Sequence, residues 1–429
     1  MRDAHVYIPG ATRHGKSTLM ERMILSDIHI GAGVGVLDPK ADLLSFENPN
    51  SLLHKIPEHR VGDTIYLNVS SPVPLDLMSW ETQPERNRLA RELTETFFRF
   101  CPSSAEGARW PGILKVTIHT LLAAKHCSFL DIHYFHTHPD KKAQILARVR
   151  KNNIEKLENG KLVYDDILHY WDVEYDAIPK HSEIPITGRT TDFIHDPALN
   201  IMLGTPDALL NISWVIENRK ILLVNLAGVT DANMVGTLIV NKFQQAAYRR
   251  ISQPPHERIP FFLFADEFER FQTTDFDDIL SQAGGLKLCL TLANQGLYQL
   301  TPKILASINT NVTGAYFIFR VHPNDAKNYR HLLGDFDVSE LSRLPRHHAL
   351  HKIGTFRPII KKTKPPVRTP PVSYAESIRN RTMVEYGYAS CKAAADKLGL
   401  WEDAPPDPPR AAAAPPGRPQ NIPAHRGKK

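Results

Sequence analysis

Residues 5–18 read His5-Val6-Tyr7-Ile8-Pro9-Gly10-Ala11-Thr12-Arg13-His14-Gly15-Lys16-Ser17-Thr18, a short apolar run followed at once by the pattern G-x-x-x-x-G-K-[ST]. Gly10 and Gly15 allow the backbone to curl so that its N–H groups point at a polyphosphate. Lys16 would reach the β- and γ-phosphates of a nucleotide, and the Ser17 hydroxyl would ligate Mg²⁺. The residues after this loop read as a helix, whose positive N-terminal end would face the phosphates. The segment therefore predicts ATP and Mg²⁺ as cofactors, bound by Gly10, Ala11, Thr12, Arg13, His14, Gly15, Lys16, Ser17 and Thr18.

The length and hydrophobicity of the chain allow a large core. It has 429 residues, of which 42% are hydrophobic, and this predicts two or three domains. No apolar run approaches the roughly 18 residues that suggest a membrane span. The chain leads directly into a strand instead of a secretory signal, and its four cysteines form no C-x-x-C pair. These features favour a reduced, cytoplasmic location and predict no transmembrane segment.

Positive charge is concentrated towards the C-terminal end. The net charge is +6, but the residues from 342 onward carry 17 Lys and Arg against 6 Asp and Glu. The rest of the chain is therefore slightly acidic. A basic tail of this kind suits an anionic polymer as partner, and it equally suits a solvated segment that confers solubility. Charge alone leaves both interpretations open.

The order of apolar runs predicts an α/β fold with a helical insertion. Residues 1–80 alternate strands and helices, and the alternation returns in residues 206–354, which indicates a mainly parallel sheet covered by helices. Residues 81–205 carry apolar side chains at helical spacing without strand signals, which predicts an inserted all-helical domain. The helical segments predicted there are 84–99, 110–126, 140–158 and 163–172. Residues 355–429 form a basic, proline-rich tail, and we expect its end, from 404, to be disordered.

An acidic pair follows the apolar run Phe261-Phe262-Leu263-Phe264-Ala265. The run predicts a buried strand, and Asp266 and Glu267 would lie at its carboxyl end, where open α/β sheets bind their ligands. Asp266 would hold Mg²⁺ through water, and Glu267 would orient and deprotonate the attacking water. The alternative is a surface acidic pair that caps the next helix.

Two later strand ends offer polar side chains to the same site. The predicted strand 286–292 leads to Gln295, which would sense the γ-phosphate or position the water. The alternative for Gln295 is a turn residue. The last predicted strand ends at Arg320, which would stabilise transition-state charge on a neighbouring subunit's phosphate. The alternative is that Arg320 has a structural role and forms an ion pair with Asp325.

Together these motifs resemble the FtsK–HerA class of hexameric DNA-translocating P-loop ATPases, and within it most closely the coupling-protein ATPases of conjugation and type IV secretion. The resemblance covers about residues 5–340 and rests on the order and spacing of several segments. They are the phosphate loop, Asp38-Pro39-Lys40-Ala41-Asp42, the helical insertion, Ile221-Leu222-Leu223-Val224-Asn225-Leu226, Ala265-Asp266-Glu267-Phe268, Leu292-Ala293-Asn294-Gln295, and Phe319-Arg320 followed by Asp325-Ala326.

The resemblance implies a RecA-like motor domain, assembled as a hexameric ring with DNA in its central pore. It assigns Lys16 to the nucleotide, Ser17 and Asp266 to Mg²⁺, Glu267 to catalysis, Gln295 to the sensor role and Arg320 to action in trans. The helical insertion would correspond to the all-α domain of coupling proteins, which receives substrate complexes. The implied partners are DNA, bound without sequence specificity, and a membrane-anchored or relaxosome-like protein. The implied location is the cytoplasm, peripheral to the inner membrane through such partners.

Three features depart from the family pattern. The chain starts at the first core strand, whereas many relatives have transmembrane helices upstream. Gly284 and Gly285 stand in place of a basic pair, which removes charge that would contact nucleotide or DNA. Ala41 stands where relatives usually have glycine.

Several histidines in the remaining sequence could be metal ligands, but the cysteines that usually accompany them in metal sites are absent nearby. Residues 133–138 contain three histidines but no cysteine, so we interpret them as a surface loop between helices and not as a metal site. We interpret His347, His348 and His351 in the same way. The lysines of residues 361–364 would touch phosphates without reading sequence, or belong to a plain linker.

Three functions fit these observations. The first is a motor that couples ATP hydrolysis to movement of DNA through a ring. The second is a soluble HerA-like ATPase that acts with a nuclease in DNA processing. The third is a nucleotide-dependent scaffold that binds a partner without translocation. Salt-dependent DNA affinity separates the third from the first two, because phosphate contacts give a steep salt dependence.

Overall fold

The computed structural model describes residues 4–100, 109–154, 157–158, 161–162, 165–272 and 276–398. The strands in these ranges are β1 (Val6–Pro9), β2 (Gly33–Asp38), β3 (Thr64–Leu67), β4 (Leu157–Glu158), β5 (Lys161–Leu162), β6 (Ile221–Asn225), β7 (Phe261–Ala265), β8 (Leu288–Asn294), β9 (Ala315–Ile318), β10 (His348–Ile353) and β11 (Ile359–Lys362). The α-helices are α1 (Lys16–His29), α2 (Gln83–Phe100), α3 (Trp110–Ala124), α4 (Asp131–Thr137), α5 (Pro139–Ile154), α6 (Asp165–His169), α7 (Ile184–His195), α8 (Pro197–Gly204), α9 (Ile212–Glu217), α10 (Ala232–Arg249), α11 (Phe276–Gln282), α12 (Pro302–Asn311), α13 (Pro323–Ala326), α14 (Val338–Arg343), α15 (Ala375–Tyr386) and α16 (Tyr388–Leu398). None of the helices in the described ranges is both long and apolar enough to cross a bilayer.

One large sheet organises the fold. Its strand order is β11-β10-β9-β1-β8-β7-β2-β6-β3. All neighbours from β9 to β3 are parallel, whereas β10 runs antiparallel to β9, and β11 antiparallel to β10. Parallel neighbours place their carboxyl ends at the same edge of the sheet, so the loops that follow β1, β2, β7 and β8 lie together. The predicted, mainly parallel sheet is therefore present.

The central strands form where the sequence has short, continuous apolar runs, because strands covered on both faces need no alternation with polar residues. On β6, Ile221 and Leu223 belong to the core on the face that α1 covers. Leu222 and Val224, on the opposite face, belong to the second core. The period of two along the strand thus divides one apolar run between two hydrophobic cores.

The insertion between β3 and β6 is a helical layer joined to the second core. Helix α3 packs against both α2 and α5, and α2 also contacts α10 of the sheet-bearing part. Phe97 and Trp110 of the insertion share one core with Leu222 of the sheet. The prediction of helices alone is wrong in one detail, since the hairpin β4–β5 occupies residues where the segment 140–158 was expected to remain helical. The Asn-Gly dipeptide in the sequence between these strands favours a hairpin over a helix.

The C-terminal segment contains regular structure that the sequence reading missed. Residues 355–398 include β11, α15 and α16 instead of a simple tail. Helix α15 packs on the edge strand β3, where the Tyr66 N–H donates to the Thr382 hydroxyl (3.1 Å) and the Arg381 guanidinium donates to the Thr64 carbonyl. The helix thereby occupies backbone groups that an open edge strand would expose. The disorder expected from 404 onward lies outside the described residues.

Candidate nucleotide site

The phosphate loop leaves the sheet at the carboxyl end of β1. The Gly10 N–H donates to the Asn294 carbonyl at the end of β8 (3.1 Å). The Ala11 N–H donates to the Arg320 carbonyl, just after β9 (2.7 Å). The loop then enters α1, which begins at Lys16. Both neighbours of β1 therefore fix the start of the loop, as the predicted strand–loop–helix arrangement requires.

Two glycines of the loop are required by its geometry. Gly15, at the N-cap of α1, has a φ of 111°, a conformation that other residues rarely adopt. A Cβ atom at Gly10 would lie 2.5 Å from the Cβ atom of Phe319. Glycine at these two positions of the motif thus has a steric reason as well as a chemical one.

Lys16 extends along the inside of the loop. Its ammonium group donates to the carbonyls of Gly10 (2.7 Å) and Ala11 (3.3 Å), and the residue is 8% exposed. Burial lowers the pKa of Lys16, while the charge of Asp266 acts in the opposite direction. A phosphate in the loop would offer the ammonium group a charged acceptor, which is a stronger partner than a carbonyl. The position of Lys16 therefore fits the predicted phosphate contact.

Ser17 and Asp266, the two residues predicted to hold Mg²⁺, lie next to each other. The Ser17 hydroxyl lies 3.4 Å from Oδ2 of Asp266, which is 5% exposed at the end of β7. Burial raises the pKa of Asp266 to about 6, although the charge of Lys16 opposes the shift. Mg²⁺ prefers oxygen ligands and usually binds one or two protein groups together with phosphates and water. This pair of oxygen ligands fits the predicted cofactor, because the cation would compensate the charge of the buried carboxylate.

Glu267 is held by side chains from three directions. Its Oε1 atom accepts from the Gln295 amide (2.7 Å) and from the Lys40 ammonium group. Its Oε2 atom accepts from Nε of Arg270 (2.8 Å). The backbone at Glu267 is left-handed, with a φ of 47°, which is uncommon for a residue other than glycine. These contacts place the predicted catalytic carboxylate at the loop-bearing edge and contradict a simple surface cap.

Gln295 connects Glu267 to the phosphate loop. Its amide nitrogen donates to Glu267, and its amide oxygen accepts from the Thr12 hydroxyl (2.9 Å). The buried neighbour Asn294 accepts from the Tyr7 hydroxyl through its side chain (2.7 Å). The end of β8 is thereby fixed, and Gln295 is aimed at the site as the sensor prediction requires.

Lys40 is a component of the site to which the sequence reading gave no role. It lies in the loop after β2, which folds around the fully buried carboxylate of Asp38. This carboxylate accepts from the backbone N–H groups of Lys40 (3.1 Å), Leu43 (2.7 Å) and Leu44 (2.8 Å). Asp38 therefore shapes the loop that presents Lys40 to Glu267. In the sequence, the Asp-Pro-Lys tripeptide directly after an apolar strand could have indicated that Lys40 belongs to the site.

Nine of the predicted residues line one cavity of about 510 Å³, whereas Gly10, Ala11 and His14 of the predicted loop are not among its lining residues. The nine are Thr12, Arg13, Gly15, Lys16, Ser17, Thr18, Asp266, Glu267 and Gln295. Three further residues, Lys40, Asp42 and His347, complete the lining. The interpretation of His347, His348 and His351 as a surface loop is wrong, because His348 and His351 lie in β10 and His347 lines the cavity directly before this strand. The His347 N–H donates to the His14 carbonyl (3.0 Å).

Arg320 does not join this cavity within one chain. Its side chain is exposed just beyond β9, which is not an edge strand, because β10 and β11 extend the sheet further. The proposed pairing with Asp325 is absent: this carboxylate instead accepts the N–H of Leu297 (3.0 Å). The structural alternative for Arg320 is therefore wrong, and its action in trans stays a prediction.

The glycines at 284 and 285 lie away from the nucleotide cavity. Gly284 is next to His5, which precedes β1, and a Cβ atom at Gly284 would lie 3.5 Å from Nε2 of His5. The phosphate loop leaves the other end of β1. The prediction that these glycines remove a contact with nucleotide is therefore wrong for a nucleotide bound in the cavity of the same chain.

The histidines of residues 133–138 have structural partners. They lie in and beside α4, not in a surface loop, because Ile132 and Phe135 anchor this short helix in the core. His133 and His136 contact the hydroxyls of Thr190 (3.0 Å) and Thr117 (2.9 Å), respectively. The loop prediction is wrong for this segment, since apolar residues three apart favour a helix with one buried face.

No family model matches the chain, and a search of curated proteins finds no match. Solved structures do match. The unbound bacterial conjugative coupling protein TrwBΔN70 aligns with a TM-score of 0.55 and 14% identity over 87% of this chain and 86% of that one. The chain has the fold of the conjugative coupling proteins. The predicted RecA-like α/β class with inserted helices is thus confirmed.

Two further solved structures are similar to this chain. Plasmid coupling protein TrwB in complex with ADP and Mg²⁺ matches with a TM-score of 0.55 and 14% identity over 87% of this chain and 86% of its own. VirB4 of Thermoanaerobacter pseudethanolicus matches with a TM-score of 0.52 and 11% identity over 87% and 90%. The family resemblance inferred from the motifs is confirmed at the level of the fold.

Proposed function

We propose that the chain is an ATP-hydrolysing motor that translocates DNA, of the type that serves conjugation and type IV secretion, and that it works as a hexameric ring. The observation that carries the proposal is the connection from Glu267 through Gln295 to Thr12 of the phosphate loop. Hydrolysis needs a residue that orients or deprotonates the attacking water, whereas nucleotide binding alone does not. The coupling-protein fold supports the proposal, since TrwB has been seen with ADP and Mg²⁺ and with a non-hydrolysable ATP analogue.

The side chains divide the work of hydrolysis. When bound, Mg²⁺ neutralises charge on the β- and γ-phosphates. Ser17 and Asp266 would hold the ion, and Lys16 would contact the phosphates. Glu267 accepts a proton from the attacking water, which Gln295 orients.

Arg320 completes the site of a neighbouring subunit in this proposal. Its guanidinium is exposed and lies outside the cavity of its own chain. A cation supplied across a subunit boundary stabilises transition-state charge only when the ring is assembled. Nucleotide state then biases the contacts between subunits, which is the physical requirement for moving DNA through a ring.

We expect further partners at the helical insertion. The insertion would receive substrate complexes, and a membrane-anchored or relaxosome-like protein would bring the ring to the cytoplasmic face of the inner membrane. In this proposal, the partners of the chain determine where in the cell it is located.

The proposal is tested by steady-state ATP hydrolysis with and without single- and double-stranded DNA. Wild-type protein should be stimulated by DNA. Lys16→Ala should abolish activity, and Glu267→Gln should lower kcat by roughly 10²- to 10⁴-fold, since it removes the proton acceptor. Glu257→Gln, in the exposed segment before β7, is the matched control and should behave as wild type.

Other outcomes select other functions. Hydrolysis that is indifferent to DNA would contradict the motor and turn attention to protein partners. ATP binding without turnover would favour the nucleotide-dependent scaffold. DNA processing that requires an added nuclease would favour the HerA-like alternative.

A further inference from the structure

A basic hairpin extends the sheet beyond the nucleotide site. It comprises residues 346–364, that is, β10, β11 and their connections. Residues 341–375, which include it, contain eight Lys and Arg and no Asp or Glu. Five cations of the hairpin are exposed and form no ion pair within the described part of the chain: Arg346, Arg357, Lys361, Lys362 and Lys364.

The geometry of the hairpin spreads these cations over its outer edge. Among the strands that the structure describes, β11 pairs only with β10, and its residues Ile359, Lys361 and Lys362 are exposed. Lys361 and Lys362 are consecutive on this strand and therefore project to opposite faces of the sheet. The Lys352 ammonium group donates to the carbonyls of Gly354 (2.8 Å) and Phe356 (2.7 Å), which fixes the turn beside Arg357.

A second explanation exists for two of these lysines. Lysine on an edge strand discourages unwanted pairing with another strand. This explanation covers Lys361 and Lys362 but not Arg346, Arg357 or Lys364, which lie outside the strands. The absence of any acidic residue from the whole segment also exceeds what edge protection needs.

The base of the hairpin is bonded to the phosphate loop. The His347 N–H donates to the His14 carbonyl (3.0 Å), and the His347 carbonyl accepts from the N–H (2.7 Å) and hydroxyl (3.1 Å) of Thr363. His347 also lines the nucleotide cavity. A ligand on the hairpin is thus connected to the phosphate loop by a short chain of hydrogen bonds.

We propose that this hairpin binds the phosphate backbone of nucleic acid without reading its sequence. The inference rests on the proposed function in taking the polymer to be the DNA that the motor moves. Exposed cations that form no ion pair in the described part of the chain complement a polyanion, and each one that contacts a phosphate releases a condensed counterion. The attachment at His347 places this contact beside the nucleotide that drives movement.

The test is fluorescence anisotropy of the full chain with labelled single- and double-stranded oligonucleotides of mixed sequence over a range of salt concentrations. The double variant Lys361→Ala/Lys362→Ala should bind duplex more weakly, and the slope of log affinity against log salt, which is negative, should become shallower by about 2, since two phosphate contacts are lost. Lys180→Ala/Lys397→Ala removes the same charge from exposed positions elsewhere and should keep the wild-type slope. Circular dichroism and thermal unfolding show whether each variant is folded.

The outcomes separate this inference from the motor proposal. An unchanged slope in the hairpin variant, or a wild type that does not bind DNA, would overturn the inference. An unchanged slope in the hairpin variant, together with hydrolysis that DNA stimulates, would leave the motor proposal unaffected. A reduced slope together with hydrolysis that ignores DNA would support the hairpin and contradict the motor. If the Lys361→Ala/Lys362→Ala variant lost its binding to phosphatidylserine vesicles but kept its binding to DNA, the proposal that nucleic acid is the ligand of the hairpin would be overturned.

Discussion

Glu267, the predicted catalytic residue, accepts hydrogen bonds on both of its carboxylate oxygens. Lys40 and Gln295 contact one oxygen, and Arg270 contacts the other. A carboxylate held in this way is well oriented, but it shares its lone pairs with cations. Three contacts occupy three of the roughly four lone-pair sites of the carboxylate, which leaves one for the attacking water. Lys40, with its side chain 42% exposed, is the more exposed of the two cations that hold Glu267.

Lys40→Ala should reduce ATP hydrolysis more than ATP binding. Without the ammonium group Glu267 loses one of its orienting partners, and we expect kcat to fall about 10- to 100-fold, as for other groups that orient an active-site residue. Steady-state kinetics give kcat and KM, and a fluorescent nucleotide gives Kd. Lys40→Arg should recover part of the activity because it restores a cation. Equal losses in kcat for the Ala and Arg variants would contradict an orienting role for the charge.

His136 should make stability depend on pH. Burial, reinforced by the charges of Lys142 and His133, lowers its pKa to about 3 from 6.5. The unfolded chain therefore binds a proton that the folded chain does not, and the free energy of unfolding decreases as pH falls below 6.5. Between about pH 7 and about pH 5 this residue should account for roughly 1–2 kcal/mol.

Urea unfolding of His136→Gln at the two pH values measures this contribution. The amide can still bond the Thr117 hydroxyl but does not titrate, so the loss of stability on acidification should be smaller than in wild type. His256→Gln, at an exposed histidine, should leave the pH dependence unchanged. An identical acid response of all three proteins would show that His136 is not the group responsible.

At the level of elements, α15 closes the β3 edge of the sheet. The edge strand has backbone groups that no other strand satisfies, and the helix supplies Thr382 and Arg381 to two of them. Its apolar residues Ala375 and Ile378 join the core on the α1 face. The segment before it also contacts α1, where the Val367 N–H donates to Glu21 (3.0 Å). The C-terminal segment is thus part of the folded unit.

Thr382→Val should destabilise the protein although it conserves shape. The substitution leaves the buried Tyr66 N–H without its acceptor, and an unsatisfied buried donor costs about 1–3 kcal/mol. Thermal or urea unfolding measures the loss, and hydrogen exchange should accelerate in β3. Thr310→Val, at an exposed position of α12, should be nearly neutral. A neutral Thr382→Val would mean that the edge is not capped by this helix.

At the level of the whole molecule, the sheet gathers the nucleotide site at one edge but leaves Arg320 outside it. The cavity collects side chains from the loops after β1, β2, β7 and β8 and from the start of β10. Arg320 is exposed at the same edge of the sheet as the cavity. It follows β9, and the carboxyl end of β9 lies beside that of its parallel neighbour β1. A single chain therefore presents its cavity and its candidate arginine as separate surfaces.

Mixing two inactive variants tests whether these surfaces meet between subunits. If Arg320 acts in trans, Arg320→Ala and Glu267→Gln should each be nearly inactive alone but regain activity when mixed. Random assembly would restore about a quarter of the sites, those that combine an intact Glu267 with a neighbour's intact Arg320. Arg343→Ala, at another exposed arginine, is the control and should remain active alone. No recovery in a mixture that forms rings would contradict action in trans.

The sequence by itself determined the parts of this protein that depend on neighbouring residues. The phosphate loop, the strand ending at Asp266 and Glu267, and the strand leading to Gln295 each combine a continuous apolar run with polar residues directly after it. Such runs form buried strands whatever their partners, and parallel strands bring their carboxyl ends together. The α/β class and the core of the nucleotide site could therefore be predicted.

Only the tertiary structure decided the features that depend on strand order and distant contacts. Lys40 meets Glu267 because β2 lies beside β7, and His347 meets the loop because β10 lies beyond β9. The short strand β11 and the helix α15 are too polar to stand out in the sequence, and they form because an edge and a core face are there to receive them. The same strand order places Gly284 at the far end of β1, a position that no local pattern reveals.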